Sequence, residues 1–576
     1  MSPLRATKPN SEYPWEPRQV GERVKLSTLL KAIEPIGIFS LKAEGKAQSA
    51  KRVEKFRYAL CPMPYANAPD TDIASIHYRA QEVAPNALFV AIEGRSADGH
   101  DFIGQALENG AGAVVVQKAP AQLFLSEGMA GTAKNDPIII QVPDTRIALA
   151  DLAACFFSRP SEHMTLIGIT GTNGKTTVAY LIESILLAAG FKVGVIGTIN
   201  YRYAGKTFPN PMTTPESLDL QRIMSEMLPE GVTHVVMEAS SHAMELYRIK
   251  NCRFDVAVFT NLSQDHLDFH GDMQSYWSSK KRLFTEYLNR GPKKDKAVAV
   301  INCDDPKGAE LAKTLSLPII KTGSTAACEI KAETSRYDLM GTNGRVSTPQ
   351  GSFDFITPLV GVHNVANILS AAGAALALAI GPDTIKAGIE TLAAIPGRLE
   401  RIENSSGRFV YVDYAHTPDA LKNALTALKQ IAPTRLICVF GCGGDRDKDK
   451  RPLMGEIVAR LCDLAIVTSD NPRTEDPADI IEQILPGTKA AGGIQYSMQA
   501  LKTGFVKKGC IVEPDRRRAI ELAIEVSRTE DAVLIAGKGH ETYQIIGKKT
   551  IDFDDREEAR KALAKLKTGW RVEAQP

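Results

Sequence analysis

The chain has 576 residues, of which 44% are apolar and 24% are charged, a composition typical of a folded globular protein rather than a disordered or fibrous one. At roughly 100 to 200 residues per domain, this length predicts about three to five folded units. The 69 basic and 67 acidic side chains leave a net charge of +2, so overall charge favours neither nucleic acid nor an anionic membrane as a partner.

Nine cysteines are scattered along the chain without a CxxC pair, which indicates free thiols in a reducing compartment. Cys438 and Cys442 have no second Cys/His pair to complete a metal site, so we interpret them as small residues beside a glycine turn. The N-terminus has no signal-peptide pattern, and no apolar run reaches the ~18 residues of a membrane span. We therefore expect a cytoplasmic protein.

The predicted elements form three α/β units in chain order. Residues 1–60 form a polar extension with one short helix, "LSTLLKAI". Short apolar strands then alternate with a helical pattern over residues 61–160, and a stronger alternation over 161–394 predicts a parallel, doubly wound sheet. The last unit, 395–576, begins where Pro and Gly interrupt "IPGRLERI", and it contains the strand-like runs "RLICVF", "LAIVTS" and "AVLIAG".

A glycine-rich loop joins a predicted strand to an amphipathic helix in "MTLIGITGTNGKTTVAYLIESILLAAG". Backbone N–H groups at such a helix start can surround phosphate oxygens, Lys175 adds a positive charge, and the Thr176 hydroxyl can ligate magnesium. The strict pattern GxxxxGK[ST] is not met, because Ile169 stands where its first glycine is expected. The order of strand, loop and helix still predicts a nucleotide triphosphate site, formed by Gly171, Thr172, Asn173, Gly174, Lys175, Thr176 and Thr177.

Polar side chains also follow the next two predicted strands. Glu238 closes "THVVME", while Asn261 and His266 follow "FDVAVFT". Because the carboxyl ends of parallel strands meet at one edge of a sheet, Glu238 and His266 are candidate metal ligands above the phosphate loop. A lone histidine is more often a satisfied polar residue, and only the surrounding "NLSQDHLDFHGD" favours a ligand role for His266.

Nine motifs in one order resemble those of the Mur ligases, the amide ligases of peptidoglycan synthesis, between about residue 77 and residue 557. They are "GTNGKTT", "EASSHAM", "FTNLSQDHLDFHG", "GVHNVANIL", "IPGRLERI", "VDYAHTPDAL", "GCGGDRDKDKRPLM", "SDNPRTEDP" and "GKGHETYQ". The resemblance implies three α/β domains: an N-terminal UDP-binding domain, a central P-loop ATPase domain and a C-terminal Rossmann-like domain that binds an amino acid.

The resemblance also implies a reaction. ATP phosphorylates a substrate carboxylate, an amine attacks the acyl phosphate, and ADP and phosphate leave. The expected partners are ATP, Mg²⁺, UDP-N-acetylmuramoyl-L-alanyl-D-glutamate (the UDP-muramoyl dipeptide) and meso-diaminopimelate, with a monomeric enzyme. Because a carboxylate and a triphosphate repel each other, the site needs Lys175 and divalent metal.

The resemblance assigns roles to residues near the nucleotide. Thr176 and Glu238 are expected to hold one magnesium ion, and His266 with Lys280 the second, Lys280 being a carbamate (N6-carboxylysine). From spacing alone, Lys280 reads as a solvated lysine in the basic run that continues with Lys281. The expected catalytic residues are Lys175, Glu238, His266 and Lys280, and the expected residues at the adenosine end are His363, Asn364, Asn367, Arg398 and Asp413.

The expected contacts to the UDP-muramoyl dipeptide come from hydroxyls and one guanidinium, which suit its carboxylates and amides. Turn and helix-cap roles are the alternative for the hydroxyls. Ala80 departs from the family pattern, because many relatives have a serine there that helps to hold uridine, and Leu246 stands where relatives can carry glutamine. The residues carried over are Thr213, Thr214, Ser240 and Arg248.

The segment "SDNPRTEDP" matches the family members that use meso-diaminopimelate, whose far end carries both an ammonium and a carboxylate. Arg473 can bind that carboxylate through two parallel hydrogen bonds, while Asp470, Asn471 and Glu541 can hold the ammonium. Without the resemblance, an exposed arginine on a turn is the alternative. The set expected at this site is Arg446, Asp470, Asn471, Pro472, Arg473, Gly537 and Glu541.

Three other functions remain open at this point. A lysine-adding Mur ligase and a folylpolyglutamate-type ligase use related chemistry, and Arg473 together with "EASSHAM" argues against both. A catalytically silent nucleotide-binding partner could share the fold, but Lys175, Glu238, His266 and Lys280 are all present.

Overall fold

The computed structural model describes residues 22–44, 57–64, 68–94, 97–118, 137–432, 434–501 and 504–569. Three α/β units follow one another, each built on its own main sheet, and this confirms the predicted fold class. Residues 1–21 and 45–56 of the predicted extension lie outside the described residues.

The first unit contains a six-stranded sheet of order β3-β2-β8-β7-β6-β5. Because β2 pairs with β8 and β3, the sheet includes residues before position 61, which the sequence analysis left in the N-terminal extension. The strands of the unit, of which β1 and β4 lie outside this sheet, are β1 Val24–Lys25, β2 Gly37–Glu44, β3 Arg57–Pro62, β4 Asp72–Ile73, β5 Ser75–His77, β6 Ala87–Val90, β7 Ala111–Val116 and β8 Ile138–Gln141. The helices are α1 Leu26–Leu30, α2 Ile103–Glu108 and α3 Thr145–Phe156.

The central unit contains an eight-stranded sheet of order β12-β11-β10-β13-β9-β14-β15-β16. Six of its strands are parallel, namely β10, β13, β9, β14, β15 and β16. Every residue of β10, β13 and β14 is buried, as expected where helices cover both faces of a sheet. The strands are β9 Thr165–Thr170, β10 Val193–Ile196, β11 Asn200–Tyr203, β12 Lys206–Pro209, β13 His234–Glu238, β14 Val256–Phe259, β15 Val298–Asn302 and β16 Ile319–Thr322.

The helices of the central unit pack around this sheet, and α4 starts directly at the glycine-rich loop. They are α4 Lys175–Ala188, α5 Ser217–Met227, α6 Ser241–Glu245, α7 Leu267–His270, α8 Met273–Arg282, α9 Pro306–Thr314, α10 Val362–Ala377 and α11 Pro382–Thr391. The sequence analysis did not predict a three-stranded antiparallel sheet between α9 and α10, made of β17 Lys331–Asp338, β18 Gly341–Thr348 and β19 Gly351–Thr357. Its β19 turns Phe353 and Phe355 into the core shared with α4.

The third unit contains a seven-stranded sheet of order β20-β21-β26-β22-β23-β25-β24. β26 comes late in the chain but lies between β21 and β22, so its carboxyl end stands near those of β22 and β23. The strands of the unit, of which β27 and β28 lie outside this sheet, are β20 Glu400–Arg401, β21 Phe409–Asp413, β22 Leu436–Phe440, β23 Leu464–Val467, β24 Ile494–Gln495, β25 Gly509–Val512, β26 Ala532–Ala536, β27 Tyr543–Ile546 and β28 Lys549–Asp552.

The helices of the third unit are α12 Pro418–Ile431, α13 Lys450–Leu461, α14 Pro477–Ala490, α15 Met498–Leu501, α16 Arg516–Val526 and α17 Asp555–Gly569. The segment 487–515 supplies the end of α14, the strand β25 and the edge strand β24, so it extends this sheet. Within the described ranges, no helix is both long and apolar enough to cross a membrane.

Candidate active site

The glycine-rich loop connects the end of β9 to the start of α4, where free backbone N–H groups favour anions. Two of its glycines have backbone angles that other residues rarely adopt, with φ of 148° at Gly171 and 85° at Gly174. A Cβ atom at Gly171 would lie 1.9 Å from Thr260 Oγ1, and one at Gly174 would lie 2.3 Å from Asn367 Oδ1. Close packing therefore requires both glycines.

Lys175 folds back over this loop. Its Nζ donates hydrogen bonds to the carbonyl oxygens of Gly171 at 2.9 Å and Thr172 at 2.8 Å. Burial lowers the pKa of Lys175, and the Glu238 carboxylate opposes that shift. The amine is thus held beside the N–H groups that would face a phosphate.

A hydroxyl and a carboxylate meet next to the loop. Thr176 Oγ1 donates to Glu238 Oε2 at 3.0 Å, and Thr198 donates to the same carboxylate through Oγ1 and its backbone N–H, both at 2.9 Å. Such hard oxygen atoms fit Mg²⁺, which commonly takes one or two protein ligands and completes its shell with phosphates and water. The described residues contain no cluster of three or more His, Cys, Asp or Glu side chains suited to a metal.

The two residues expected at the second metal, His266 and Lys280, both lie near the aromatic ring of Tyr276. The ring centroid of His266 lies 6.1 Å from it, and Lys280 Nζ lies 4.4 Å from it. His266 has a half-exposed side chain, and its backbone is left-handed with a φ of 53°. The structure therefore brings His266 and Lys280 to one place, although 14 positions separate them in the sequence.

Lys280 is 1% exposed, so the solvated lysine that spacing alone indicated is not observed, whereas the next residue, Lys281, is partly exposed. Its Nζ donates to the Gly171 carbonyl at 2.7 Å, and among the described residues no carboxylate forms an ion pair with it. Burial, together with nearby Lys175, holds the pKa of Lys280 well below its usual range.

A cavity of about 570 Å³ between the central and C-terminal units contains the expected nucleotide residues. Arg398 Nη2 donates to Thr176 Oγ1 at 3.2 Å, so this guanidinium adjoins the phosphate loop. Asn367 donates to Asn364 at 2.9 Å and packs on Gly174, so it also adjoins the loop. The expected residues that line the cavity are Thr172, Asn173, Gly174, Lys175, Thr176, Thr177, Thr213, Glu238, His266, His363, Asn364, Asn367, Arg398 and Asp413.

Asp413 at the end of β21 has a structural role that the sequence did not reveal. Its carboxylate accepts backbone N–H groups from Leu399 at 2.6 Å and Ala415 at 2.8 Å. Burial raises the pKa of Asp413, and these two hydrogen bonds and Arg398 oppose that shift. The carboxylate therefore fixes the turn that presents Arg398 to the cavity.

The residues expected to contact the UDP-muramoyl dipeptide form a cluster joined to Glu238. Thr214 Oγ1 donates to the Glu238 carbonyl at 2.7 Å and to Ser240 Oγ at 3.2 Å. Ser240 also caps α6 by accepting the Ala243 N–H at 3.2 Å, which is the helix-cap role considered above. Thr213 reaches Thr198 at 3.1 Å, so the cluster continues to the magnesium-type ligands.

Arg248 completes this cluster with a buried guanidinium. Its Nη1 donates to the Thr214 carbonyl at 3.2 Å, and its Nε lies 3.5 Å from Glu216. That Nε has no hydrogen-bond partner among the described residues, and burial lowers the pKa of Arg248. The two departures from the family pattern, Ala80 and Leu246, are a buried turn residue and the partly buried end of α6.

Arg473 stands at the carboxyl end of β23, in a left-handed conformation with a φ of 53°. Its backbone pairs with β27, and its Nη1 donates to the Gly444 carbonyl at 2.9 Å. A Cβ atom at Gly443 would lie 3.0 Å from Arg473 Nη1 and 3.8 Å from Arg446 Cγ, so the two arginines flank this glycine. Pro472 is buried, with its carbonyl packed against Gly444.

The acidic and amide groups expected beside Arg473 meet around Lys538, which the sequence analysis did not single out. Lys538 Nζ lies 3.0 Å from Asn471 Oδ1, 3.2 Å from Glu541 Oε2 and 3.8 Å from Asp470 Oδ1. A Cβ atom at Gly537 would lie 2.6 Å from Asp470 Oδ2, so a larger residue would collide there. The only signal for Lys538 was its place within "GKGHE".

Three family models match the chain in order. The Mur ligase family catalytic domain matches residues 72–157, the Mur ligase middle domain matches 169–375, and the Mur ligase glutamate ligase domain matches 397–539. The chain belongs to the Mur ligase family. It is an ATP-dependent ligase, and the middle-domain match contains the complete phosphate loop, Glu238, His266 and Lys280.

Curated relatives and solved structures agree with this membership. The UDP-N-acetylmuramoyl-L-alanyl-D-glutamate–2,6-diaminopimelate ligase of Geobacter metallireducens is 46% identical over 515 residues, which cover 89% of this chain and 99% of that protein. A solved structure of a ligase with the same name is 31% identical, with a TM-score of 0.59, and the match covers 86% of this chain and 96% of that one. The folylpolyglutamate synthase of Mycobacterium tuberculosis, solved with ADP and AMPPCP, shares the fold at 18% identity, with a TM-score of 0.54 and coverage of 73% and 95%.

Proposed function

We propose that this Mur ligase joins meso-diaminopimelate to UDP-N-acetylmuramoyl-L-alanyl-D-glutamate at the expense of ATP, in peptidoglycan precursor synthesis. The observation that carries the proposal is the juxtaposition at the carboxyl ends of β22, β23 and β26. There Arg446 and Arg473 flank Gly443, and the carboxylates of Asp470 and Glu541 both adjoin Lys538. These groups suit a substrate end that carries a carboxylate and an ammonium.

The phosphate loop would hold the triphosphate of ATP. Its N–H groups and Lys175 would face the phosphates, and Arg398 brings a second positive charge from the C-terminal unit to Thr176. Thr176 and Glu238 would hold one Mg²⁺, and His266 would contribute to a second. The metal supplies positive charge that offsets the repulsion between the substrate carboxylate and the γ-phosphate. Phosphoryl transfer yields an acyl phosphate, which the incoming amine attacks.

We propose that Lys280 is used as a carbamate. The amine is buried beside Lys175 and forms no ion pair within the part of the chain that the structure describes; the Asp265 carboxylate only partly offsets burial, so the place is unfavourable for an ammonium. A neutral amine can take up CO₂ and release one proton, and the resulting carbamate anion would provide oxygen ligands for magnesium next to His266. The reaction turns a neutral amine into an anion, which Lys175 attracts, whereas Lys175 would repel an ammonium at the same place.

The UDP-muramoyl dipeptide would enter from the cluster that joins Thr214 and Arg248 to Glu238. The hydroxyl groups of the cluster can bind carboxylate and amide oxygens, and the Arg248 guanidinium, paired with Glu216, adds positive charge beside them. Because Thr214 is bonded to the Glu238 carbonyl, a carboxylate bound here would lie next to the triphosphate.

Selection of meso-diaminopimelate over L-lysine would depend on Arg473. Lysine has no carboxylate at its far end, so its binding would leave the guanidinium without an anion in a partly buried site. A group that loses its hydrogen-bond partner in this way costs about 1–3 kcal/mol, or more when charged.

Phosphate release tests the proposal when purified enzyme, ATP, Mg²⁺ and the UDP-muramoyl dipeptide are mixed with one amino acid at a time. Release with meso-diaminopimelate, together with a product heavier by one residue in mass spectrometry, is the expected result. Release with L-lysine alone would identify a lysine-adding ligase, and release with a folate and glutamate would identify a folylpolyglutamate-type enzyme. No release with any of these would favour a silent nucleotide-binding protein.

Two further expectations belong to the proposal. All nine cysteines are free, which favours action in the reducing cytoplasm, where nucleotide-linked precursors are made. We also propose a monomer, as the resemblance to the family implies. Light scattering coupled to size exclusion would test this by giving a mass near 62.5 kDa.

A further inference from the structure

Lys538 is a fully buried lysine at the amino-acid site, and the reaction proposed above gives it no role. Its side chain is 0% exposed, and it lies two residues after the end of β26. It lies between Gly537 and Gly539, whose φ angles are 116° and 54°, so two left-handed glycines hold it in place. A buried ammonium is unfavourable unless acceptors surround it, and the identity of those acceptors indicates its role.

All three acceptors around Lys538 belong to the predicted amino-acid site. Its Nζ lies 3.0 Å from Asn471 Oδ1, 3.2 Å from Glu541 Oε2 and 3.8 Å from Asp470 Oδ1. The aromatic ring of Tyr543 on β27 lies 5.5 Å from the same amine. Lys538 therefore connects the segment after β23 with the segment after β26.

Lys538 and the Ile545 N–H together hold the amide of Asn471 in one orientation. Asn471 Oδ1 accepts hydrogen bonds from Lys538 and from the Ile545 N–H at 3.0 Å, so both lone pairs of this oxygen are used. Its Nδ2 donates to Glu541 Oε2 at 2.9 Å. Asn471 thus has no free acceptor for a substrate ammonium, although the sequence analysis placed it among the ammonium ligands, and Asp470 and Glu541 remain.

Charge balance gives Lys538 a second effect. Two carboxylates beside one lysine leave one net negative charge, which matches a single substrate ammonium. Burial raises the pKa of Glu541, Asp470 adds to that shift, and Lys538 opposes it. The charged and titratable groups that face Glu541 from the surrounding elements are Lys538, Asp470, Tyr414, Tyr543 and Arg516.

We propose that Lys538 is a positioning residue that keeps the Glu541 carboxylate charged and the Asn471 amide turned away, so that the site receives the far ammonium of the incoming amino acid. This inference rests on the proposed function, because it assumes that a diamino acid binds here. A merely structural ion pair would affect stability but would not make substrate binding depend on pH.

The decisive experiment compares Lys538→Met with wild type in KM for meso-diaminopimelate, ATP and the UDP-muramoyl dipeptide. We expect the diaminopimelate KM to rise about tenfold or more near neutral pH, with the other two KM values changed by less than about twofold. Removing the cation raises the pKa of Glu541, so more of it is protonated at neutral pH. The ratio of variant to wild-type KM should therefore fall as pH rises from about 6.5 to about 9.

Two controls isolate the cause. In the double variant Lys538→Met/Glu541→Gln, position 541 no longer titrates, so the KM ratio should not change with pH. Lys548→Met removes an exposed lysine from the turn between β27 and β28 and should leave all three KM values unchanged. A KM ratio for Lys538→Met that is flat with pH, or an equal rise in the KM of all three substrates, overturns the inference.

Wild-type turnover in the same assay separates this inference from the proposed function. If wild type does not couple meso-diaminopimelate, the proposed function fails; if it does and the variant behaves as wild type, only the role of Lys538 fails. If Lys538→Met does not fold, calorimetry of wild type with meso-diaminopimelate, ATP analogue and dipeptide decides. We expect wild type and Glu541→Gln to exchange the same number of protons near neutral pH, whereas release of about one additional proton by wild type would show that Glu541 was protonated and would refute the inference.

Discussion

The phosphate region and the amino-acid region of this Mur ligase each bury one lysine, in opposite surroundings. Lys280 has a carbonyl oxygen and an aromatic ring beside it, and nearby Lys175 adds repulsion. Lys538 has two carboxylates and an amide oxygen. Burial is nearly identical at 1% and 0%, so burial alone cannot decide what a lysine does.

The atoms around a buried lysine decide whether its amine is neutral or charged, and therefore what the lysine can do. An amine without a counter-ion favours the neutral form, which can react with CO₂. An ammonium among acceptors is stable as a cation and can orient its neighbours. The same residue type thus fits a modification site in the central unit and a positioning role in the C-terminal unit.

The largest expected effect is a loss of turnover when Lys280 in the phosphate region is replaced. Lys280→Ala should lower kcat by about 10³-fold, because the site loses the anion proposed to hold the second magnesium. A short carboxylate such as formate, added to this variant, should restore part of the activity by replacing the carbamate oxygens. The neighbouring Lys281→Ala is the matched control and should change kcat by less than about twofold. Loss of activity in Lys280→Ala without any rescue by carboxylates would contradict the carbamate.

Sequence predicted the parallel sheets because their strands are continuous apolar runs that become buried on both faces, as in β13 and β14. The sheet of β17, β18 and β19 escaped prediction because it has one exposed face. Polar residues alternate along β19, and β17 is largely exposed, so no apolar run indicates a strand. Strands β2 and β3 were missed in a similar way, since "GIFSLKAE" and "RYALCP" mix polar and apolar residues.

Local motifs predicted the phosphate loop because its parts are contiguous in sequence. Thr198 and Lys538 were missed because their partners come from other strands, 40 positions away at Glu238 and 67 positions away at Asn471. Spacing cannot reveal such pairs unless strand order is known. For Lys280, spacing predicted a solvated side chain, and only the resemblance to the family indicated a special environment.

The next largest effect concerns the stability of the amino-acid side. Arg516 and Asp555 form an ion pair in which both side chains are 0% exposed, and Arg516 Nη2 also donates to the Ala536 carbonyl at 2.9 Å, directly before Gly537. Asp555→Ala should reduce the free energy of unfolding of this unit by about 3–5 kcal/mol, because it leaves a buried guanidinium unpaired. Glu525→Gln, in the exposed pair with Arg518, should change it by less than about 1 kcal/mol in the same denaturation experiment. Equal effects of the two substitutions would contradict this account.

A smaller effect is expected on the choice between amino-acid substrates, which is proposed to depend on Arg473 in the amino-acid region. Arg473→Ala should lower kcat/KM for meso-diaminopimelate by about 100-fold and leave the KM for ATP unchanged, because the guanidinium is proposed to bind only the far carboxylate. The preference over L-lysine should fall by a similar factor in competition assays. Arg517→Ala removes an exposed arginine of the same unit and serves as the control. Undiminished selectivity in Arg473→Ala would exclude this residue as its source.

The smallest expected effect is that of Tyr276→Phe. Compared with Tyr276→Leu, it tests whether Tyr276 acts on Lys280 through its ring or through its hydroxyl. The hydroxyl is within 3.2 Å of Thr172 Oγ1 in the phosphate loop, whereas the ring faces both Lys280 and His266. Tyr276→Phe keeps the ring and removes one neutral hydrogen bond, worth about 1 kcal/mol, so kcat should fall by about fivefold or less. Tyr276→Leu removes the ring as well and should approach the loss seen for Lys280→Ala. If both substitutions have equal effects, the ring does not shape the environment of Lys280, and the contrast with Lys538 rests on the missing carboxylate alone.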